Sequence, residues 1–136
     1  KRKYMYIIII GCGRTGGKLA NMLSQKKHEV VVVEKNSVKF RNLSVEFSGY
    51  KIEGDALEHD VLEKAKIDQA DMVIVTTGND RINYFLAELA SLQYEVPKIF
   101  VRIQDPGKNK MFDDIKNTEV INPLNLFMEN LVSKIE

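Results

Sequence analysis

A single cysteine, Cys12, leaves the chain without an internal disulfide, which fits a reducing compartment. The shortage of metal ligands goes further. Two histidines, His28 and His59, and that one cysteine never fall at metal-binding spacing. Both histidines read as isolated surface side chains, one before the second strand and one on a polar helix face. An excess of one charge sign is missing as well: the formal charge is +1 with acids and bases intermixed, so nothing points to nucleic acid. The basic start, KRKYMY, is too short for an arm and is expected to solvate the first strand. No apolar run near the N-terminus approaches the roughly 20 residues of a membrane span, and none ends in a small-residue cleavage site. Linkers and low-complexity tracts are absent, so residues 1–136 are expected to form one domain. The first residue is not Met, so chain beyond either end is expected to have been removed.

What the chain does have is apolar pattern. The hydrophobic share of 44% is enough for one core. Tyr4 to Ile10 is a β-branched run that reads as a strand buried on both faces, and Glu29 to Glu34 (EVVVVE) is a second. Between them Leu19, Ala20, Met22 and Leu23 recur at helical spacing. SVKFRNLSVEF supports a short helix through Val38, Leu43 and Phe47, and YKIEGDA is a third strand, polar enough for a sheet edge. A helix follows with Val61, Leu62 and Ala65 inward, then a fourth strand, ADMVIVTT. NDRINYFLAELASLQY predicts one long helix with Ile82, Phe85, Leu86, Leu89 and Ala90 on its buried stripe. PKIFVRI is a fifth strand and TEVIN a sixth. Asp105-Pro106 and Asn122-Pro123 each read as an N-cap with Pro at the first helical position. The first opens a helix carrying Met111, Phe112 and Ile115; the second opens a terminal helix within 123–136. Strict strand–helix alternation implies an α/β Rossmann fold: a doubly wound, six-stranded parallel sheet, order 3-2-1-4-5-6, with helices on both faces.

Gly11, Gly13 and Gly16 form G-x-G-x-x-G between the first strand and the first helix. In a dinucleotide-binding turn the first glycine makes the tight bend and the second admits a pyrophosphate to the backbone. The third lets the helix pack against the sheet. The helix N-terminus then offers unpaired N–H groups to phosphate. Glu34, about 20 positions on, stands where a carboxylate accepts both ribose hydroxyls and repels a 2′-phosphate. Lys35 follows one position too late to reverse that preference. Gly54, Asp55 and Ala56 end the third strand beside the expected adenine. Thr76, Thr77, Gly78, Asn79 and Asp80 end the fourth, although Asn79 or Asp80 also suits a helix cap.

Chemistry on the bound ligand is not expected. Tyr94 and Lys98 have the Y-x-x-x-K spacing of a dehydrogenase pair, but Pro97 breaks the helical register between them. Cys12 lies in the phosphate turn, where a helix N-terminus could lower its pKa, or it is a small residue that fits. No acid–base pair accompanies it, and no chain remains for a substrate domain. The chain is expected not to be an enzyme, with a small NAD-dependent oxidoreductase as the alternative.

Taken together, GCGRTG with Arg14, VVVVEK, GDA with Asp55, ADMVIVTTGNDRINYFLAELA with Asn83, KIFVRIQDP with Arg102, and VINP resemble the RCK/TrkA-N family of Trk/Ktr-type potassium transport regulators. The resemblance covers essentially the whole chain. It implies a cytoplasmic regulatory domain that binds NAD(H), ATP, ADP or AMP and acts on an integral-membrane potassium channel or transporter at the inner face of the membrane. It also implies a homodimer or higher oligomer, with no nucleic acid and no insertion into the membrane. A domain serving another cation or proton antiporter is the neighbouring alternative. The implied binding residues are Gly11, Cys12, Gly13, Arg14, Thr15, Gly16, Glu34, Lys35, Asp55, Ala56, Thr76, Thr77, Gly78, Asn79, Asn83 and Arg102, with Arg14 placed to meet phosphate. Family members usually continue into a second ligand-binding domain, so a chain ending at Glu136 is expected to be a short member or an excised domain. Leu124, Phe127, Leu131 and Ile135 line one face of the last helix and Leu126, Met128 and Val132 a second. That pattern suits a crossover helix that finds a partner.

Overall fold

The computed structural model describes residues 4–136. Lys1, Arg2 and Lys3, the basic part of the expected solvating start, lie outside the described residues. Six strands, β1 (Tyr6–Ile10), β2 (Glu29–Glu34), β3 (Tyr50–Glu53), β4 (Met72–Val75), β5 (Ile99–Arg102) and β6 (Thr118–Ile121), form one parallel sheet in the order β3-β2-β1-β4-β5-β6. The reversal of direction between β1 and β4 opens a crevice at the carboxyl ends of the strands. β3 is indeed an edge strand, as its polar composition requires.

Period-two alternation divides the core into two layers. Ile8, Ile10, Val31, Val33, Val73 and Val75 face helices α2 (His59–Lys64) and α3 (Asp80–Glu88), with Leu62, Leu86 and Phe112 packed on them. Ile7, Ile9, Val30, Val32 and Ile74 face the other way, toward Ala20 of helix α1 (Arg14–Gln25). Both caps form where the sequence places them. Asp105 Oδ1 accepts from Gly107 N at 2.9 Å, and Asn122 Oδ1 accepts from Asn125 N at 2.9 Å at the start of helix α4 (Pro123–Ile135).

Several local expectations are corrected. The first strand begins at Tyr6, not Tyr4. The short helix after β2 is a 3-10 turn, Ser37–Asn42, in which Val38 points outward while Phe40, Leu43 and Phe47 cover the α1-side layer. The helix after Pro106 is likewise 3-10, Pro106–Phe112, with Phe112 and Ile115 buried and Met111 half-exposed. The long helix after Asn79 is α only to Glu88 and ends in a π turn, Leu89–Gln93. The wider turn sends Ser91 inward, where its hydroxyl donates to Lys116 O at 2.8 Å. Phe85 is half-exposed rather than buried; Asn83, Leu86, Ala87 and Ala90 form the inner stripe instead. An asparagine takes a core position because its amide is fully bonded there.

Candidate functional site

The glycine turn is held by close approaches at Gly11 and Gly16. Gly11 adopts φ +104°, which favours glycine, and its N–H donates to Val33 O at 2.9 Å. A Cβ on Gly16 would stand 2.1 Å from Gly11 O and 2.7 Å from the Thr76 hydroxyl, so α1 can lie this close only with glycine there. A Cβ on Gly13 would meet nothing within 4 Å, which leaves the backbone of the second glycine open toward the crevice.

Glu34 ties this turn to β2. It is only 8% exposed; its Oε1 accepts from Cys12 N at 2.7 Å and its Oε2 from Asn36 N at 2.9 Å. A carboxylate offers about four lone-pair sites, so two remain after the backbone is served. Asp55, at the end of β3, takes Leu57 N on Oδ1 at 2.9 Å and faces the Lys35 ammonium at 3.9 Å on Oδ2.

Across the crevice a polar clamp fixes the ends of β4 and β5. The Thr76 hydroxyl donates to Ile10 O and Gly11 O at 3.2 and 3.1 Å. Asn83, fully buried, donates to Thr77 O at 3.0 Å and Arg102 O at 2.9 Å, and accepts from the Thr77 hydroxyl. Arg102 donates through one terminal nitrogen to Thr76 O and Thr77 O at 3.1 and 3.2 Å, while its Nε is buried without a partner. Asn79 caps α3 by accepting from Ile82 N at 2.9 Å, and Asp80 accepts from Gln104 N and Asp105 N.

These groups enclose a crevice of about 300 Å³. Gly11, Gly13, Glu34, Lys35, Asp55, Ala56, Thr76, Thr77, Gly78, Asn79 and Arg102 all border it. Five of the expected residues do not: Cys12, Arg14, Thr15, Gly16 and Asn83. Cys12 and Gly16 are packed beneath the turn, and Asn83 is buried behind the clamp. Arg14 is exposed on the outer side of α1, in a shallow groove with Lys18, Asn21 and Asn42. Lys39, Leu57, Ile82 and Leu86 also border the crevice, beyond the residues to which the motifs point. Lys39 lies five residues after Glu34, inside the 3-10 turn Ser37–Asn42 that the sequence pattern reads as an ordinary short helix. Ile82 and Leu86 carry only a core signal in the sequence, as members of an apolar helical stripe.

Other sequence readings are settled by contacts. The Cys12 thiol is fully buried, and burial, reinforced by the Glu34 charge, pushes it from 9.0 up to about 11, the opposite direction to an activated thiolate. Raising the folded-state value means the unfolded chain loses the proton first, so stability is intact below pH 9 and falls toward pH 11. Denaturant melts between pH 8 and 11 should show this decline, and Cys12→Ala should remove part of it. Neither histidine is isolated. His28 Nδ1 accepts from Met5 N at 3.1 Å. His59 stacks on Tyr94, with Nδ1 2.5 Å from its hydroxyl and Nε2 3.1 Å from Glu63 Oε2. Lys98 instead pairs with Glu119 at 3.1 Å, so Tyr94 and Lys98 do not act together.

A second cavity, about 370 Å³, is an apolar groove on the α1 side of β4 and β5, lined by Leu19, Leu23, Met72, Ile74 and Phe100 and ending at Ile121 and Pro123. Thr76 and Arg102 border both cavities.

Residues 7–123 match the TrkA-N domain family. A potassium uptake protein TrkA homologue of the Trk system from Pyrococcus abyssi is 44% identical over 114 residues, covering 82% of this chain and 49% of the relative. The chain thus spans about half the length of that relative. The TrkA-N domain of the inner membrane protein ybaL from Escherichia coli superposes with TM-score 0.85 at 18% identity, covering 99% of this chain and 100% of the other. GsuK bound to ADP superposes with TM-score 0.78 at 24% identity, covering 97% of this chain and 35% of GsuK. The GsuK channel bound to NAD gives 0.74 at 24% identity, covering 89% and 21%.

Proposed function

Because the chain belongs to the TrkA-N domain family, we propose that it is a nucleotide-binding regulatory domain of a potassium transport system. The observation that carries the reading is the crevice itself. The open face of Gly13, the Glu34 carboxylate and the ends of two diverging strands converge on one space of about 300 Å³. Phosphate suits the backbone at Gly13 and the start of α1, and the two spare lone-pair sites of Glu34 suit a ribose diol. The ligand class is NAD(H) or an adenosine phosphate, in keeping with the NAD and ADP bound to GsuK. The domain holds its ligand without transforming it: Tyr94 and Lys98 are each committed elsewhere, and Cys12 is a buried neutral thiol. Its partner is an integral-membrane potassium transporter, and its place is the cytoplasmic face of the membrane.

Parallel calorimetric titrations with NAD, NADH, ATP, ADP and AMP test the binding half. At least one should bind with micromolar affinity, and no heat from any of them at millimolar concentration would sink the reading. Deleting the gene from its host should slow rubidium uptake; unchanged uptake would sever the link to potassium.

The domain acts as a dimer built on α4. No residue of α4 is buried, and all seven of its apolar side chains, Leu124, Leu126, Phe127, Met128, Leu131, Val132 and Ile135, are at least 42% exposed. The apolar groove ends at Pro123, the root of this helix, so α4 of a second copy has an apolar acceptor beside α4 of the first. Sedimentation at micromolar concentration should show a dimer, and Phe127→Asp should dissociate it by at least about tenfold through burial of an unpaired charge. A monomer at high concentration overturns the assignment.

A further inference from the structure

Among the described residues, Arg102 is the one basic side chain that borders both the nucleotide crevice and the apolar groove. Its charge is poorly served by the chain. One terminal nitrogen rests on two neutral carbonyls, Nε is buried without a partner, and among the described residues it forms no ion pair. The side chain is half-buried, and a charge held partly out of water gains from a counter-charge that a facing phosphate supplies through charge-assisted bonds. Covering the groove with an apolar helix strips water from the Arg102 side. Filling the crevice with an anion supplies a counter-charge from the other side. The two events therefore favour each other without any new contact between ligand and helix.

We propose that Arg102 couples the two cavities: phosphate in the crevice neutralises its guanidinium and so strengthens docking of a second copy's α4 in the groove. The inference rests on the nucleotide-binding and dimer reading above and adds the direction of regulation, with ligand promoting association. The clamp that seats Arg102 reaches the glycine turn, since Thr76 bonds Gly11 O and presents its own carbonyl to the guanidinium. Register carries it on to the root of α4, because Arg102 pairs with Ile121, two residues before Pro123. Linkage requires reciprocity: the dimer must bind the nucleotide more tightly than the monomer by the same factor.

The test is the dimer dissociation constant of the chain by sedimentation, alone, with saturating ADP and with adenosine, alongside calorimetry of ADP on the same samples. ADP should tighten the dimer at least about fivefold, and adenosine, which carries no phosphate, should leave it unchanged. Arg102→Gln should make the nucleotide-free dimer tighter than the wild type's and abolish the response to ADP; a merely structural arginine would loosen the dimer when replaced. If calorimetry shows no ADP binding, the nucleotide reading itself has failed. If ADP binds but the wild-type dimer does not respond, or the chain stays monomeric, the coupling is overturned with nucleotide binding intact. A folded Arg102→Gln chain that still responds to ADP overturns the role of Arg102. Should that variant not fold, Arg102→Lys takes its place: it keeps the charge and should keep the response to ADP, and a folded Arg102→Lys chain without that response overturns the assignment to the charge.

Discussion

Gly16→Ala should lower the melting temperature by roughly 10 °C, while Gly13→Ala, three residues away, should shift it by no more than about 2 °C. The difference lies in what each new Cβ meets. At Gly16 it would stand 2.1 Å from a backbone carbonyl oxygen, and neither α1 nor the turn can yield without breaking the Thr76 bonds to Ile10 and Gly11. Overpacking of this kind costs about 3 kcal/mol. At Gly13 the backbone is extended, with φ −72°, and the Cβ would enter open space. That space is where the proposed pyrophosphate approaches, so Gly13→Ala should weaken ADP binding at least about tenfold, close to 1.4 kcal/mol. Thermal melts and calorimetry of the two variants separate the roles. Equal ADP affinity for wild type and Gly13→Ala would remove phosphate from this turn.

Glu34→Ala should destabilise the chain by about 3 kcal/mol, because the buried Cys12 N–H and the more exposed Asn36 N–H lose charge-assisted bonds together. Glu34→Gln should lose roughly half as much. An amide keeps one accepting oxygen but turns an NH2 group toward the other donor. The same residue governs nucleotide choice. With both oxygens already anchored, the carboxylate cannot swing away, so a 2′-phosphate meets a fixed negative charge. NAD should bind at least about tenfold more tightly than NADP, a gap of about 1.4 kcal/mol. In Glu34→Gln the gap should close, helped by Lys35 and Lys39, which border the same crevice. Chemical denaturation measures the first effect and competition titration the second. Equal NAD and NADP affinities in the wild type would remove Glu34 from the ribose.

Both predictions rest on residues whose type and spacing can be read without a structure, but whose partners cannot. Gly11, Gly13 and Gly16 announce a turn by spacing alone, and the helix close behind them narrows it further. That Gly16 touches Gly11 O while Gly13 faces open space is a matter of how far α1 descends onto the sheet. Glu34 is legible as an acid at the end of β2. Its service to Cys12 N, 22 residues earlier, is not.

The sequence by itself determined the six alternations of strand and helix, the parallel sheet with β3 at its edge, and both Asx-Pro helix starts. Each of these is written in local period or in adjacent residues, and a right-handed crossover leaves few ways to assemble them. Tertiary structure decided what no period records. Asn83 is a core residue because Thr77 and the carbonyl of Arg102 meet its amide, and Phe85 turns outward in consequence. His59 gains Tyr94 across 35 positions, and Arg14 borders the groove with Lys18, Asn21 and Asn42 and not the crevice that its place in the motif suggests. Arg102 became a wall shared by two cavities only once β4 and β5 lay side by side. The physical reason is common to all of these. Hydrophobic spacing states which face of an element is buried, whereas a polar side chain's role depends on which distant backbone groups arrive unpaired beside it.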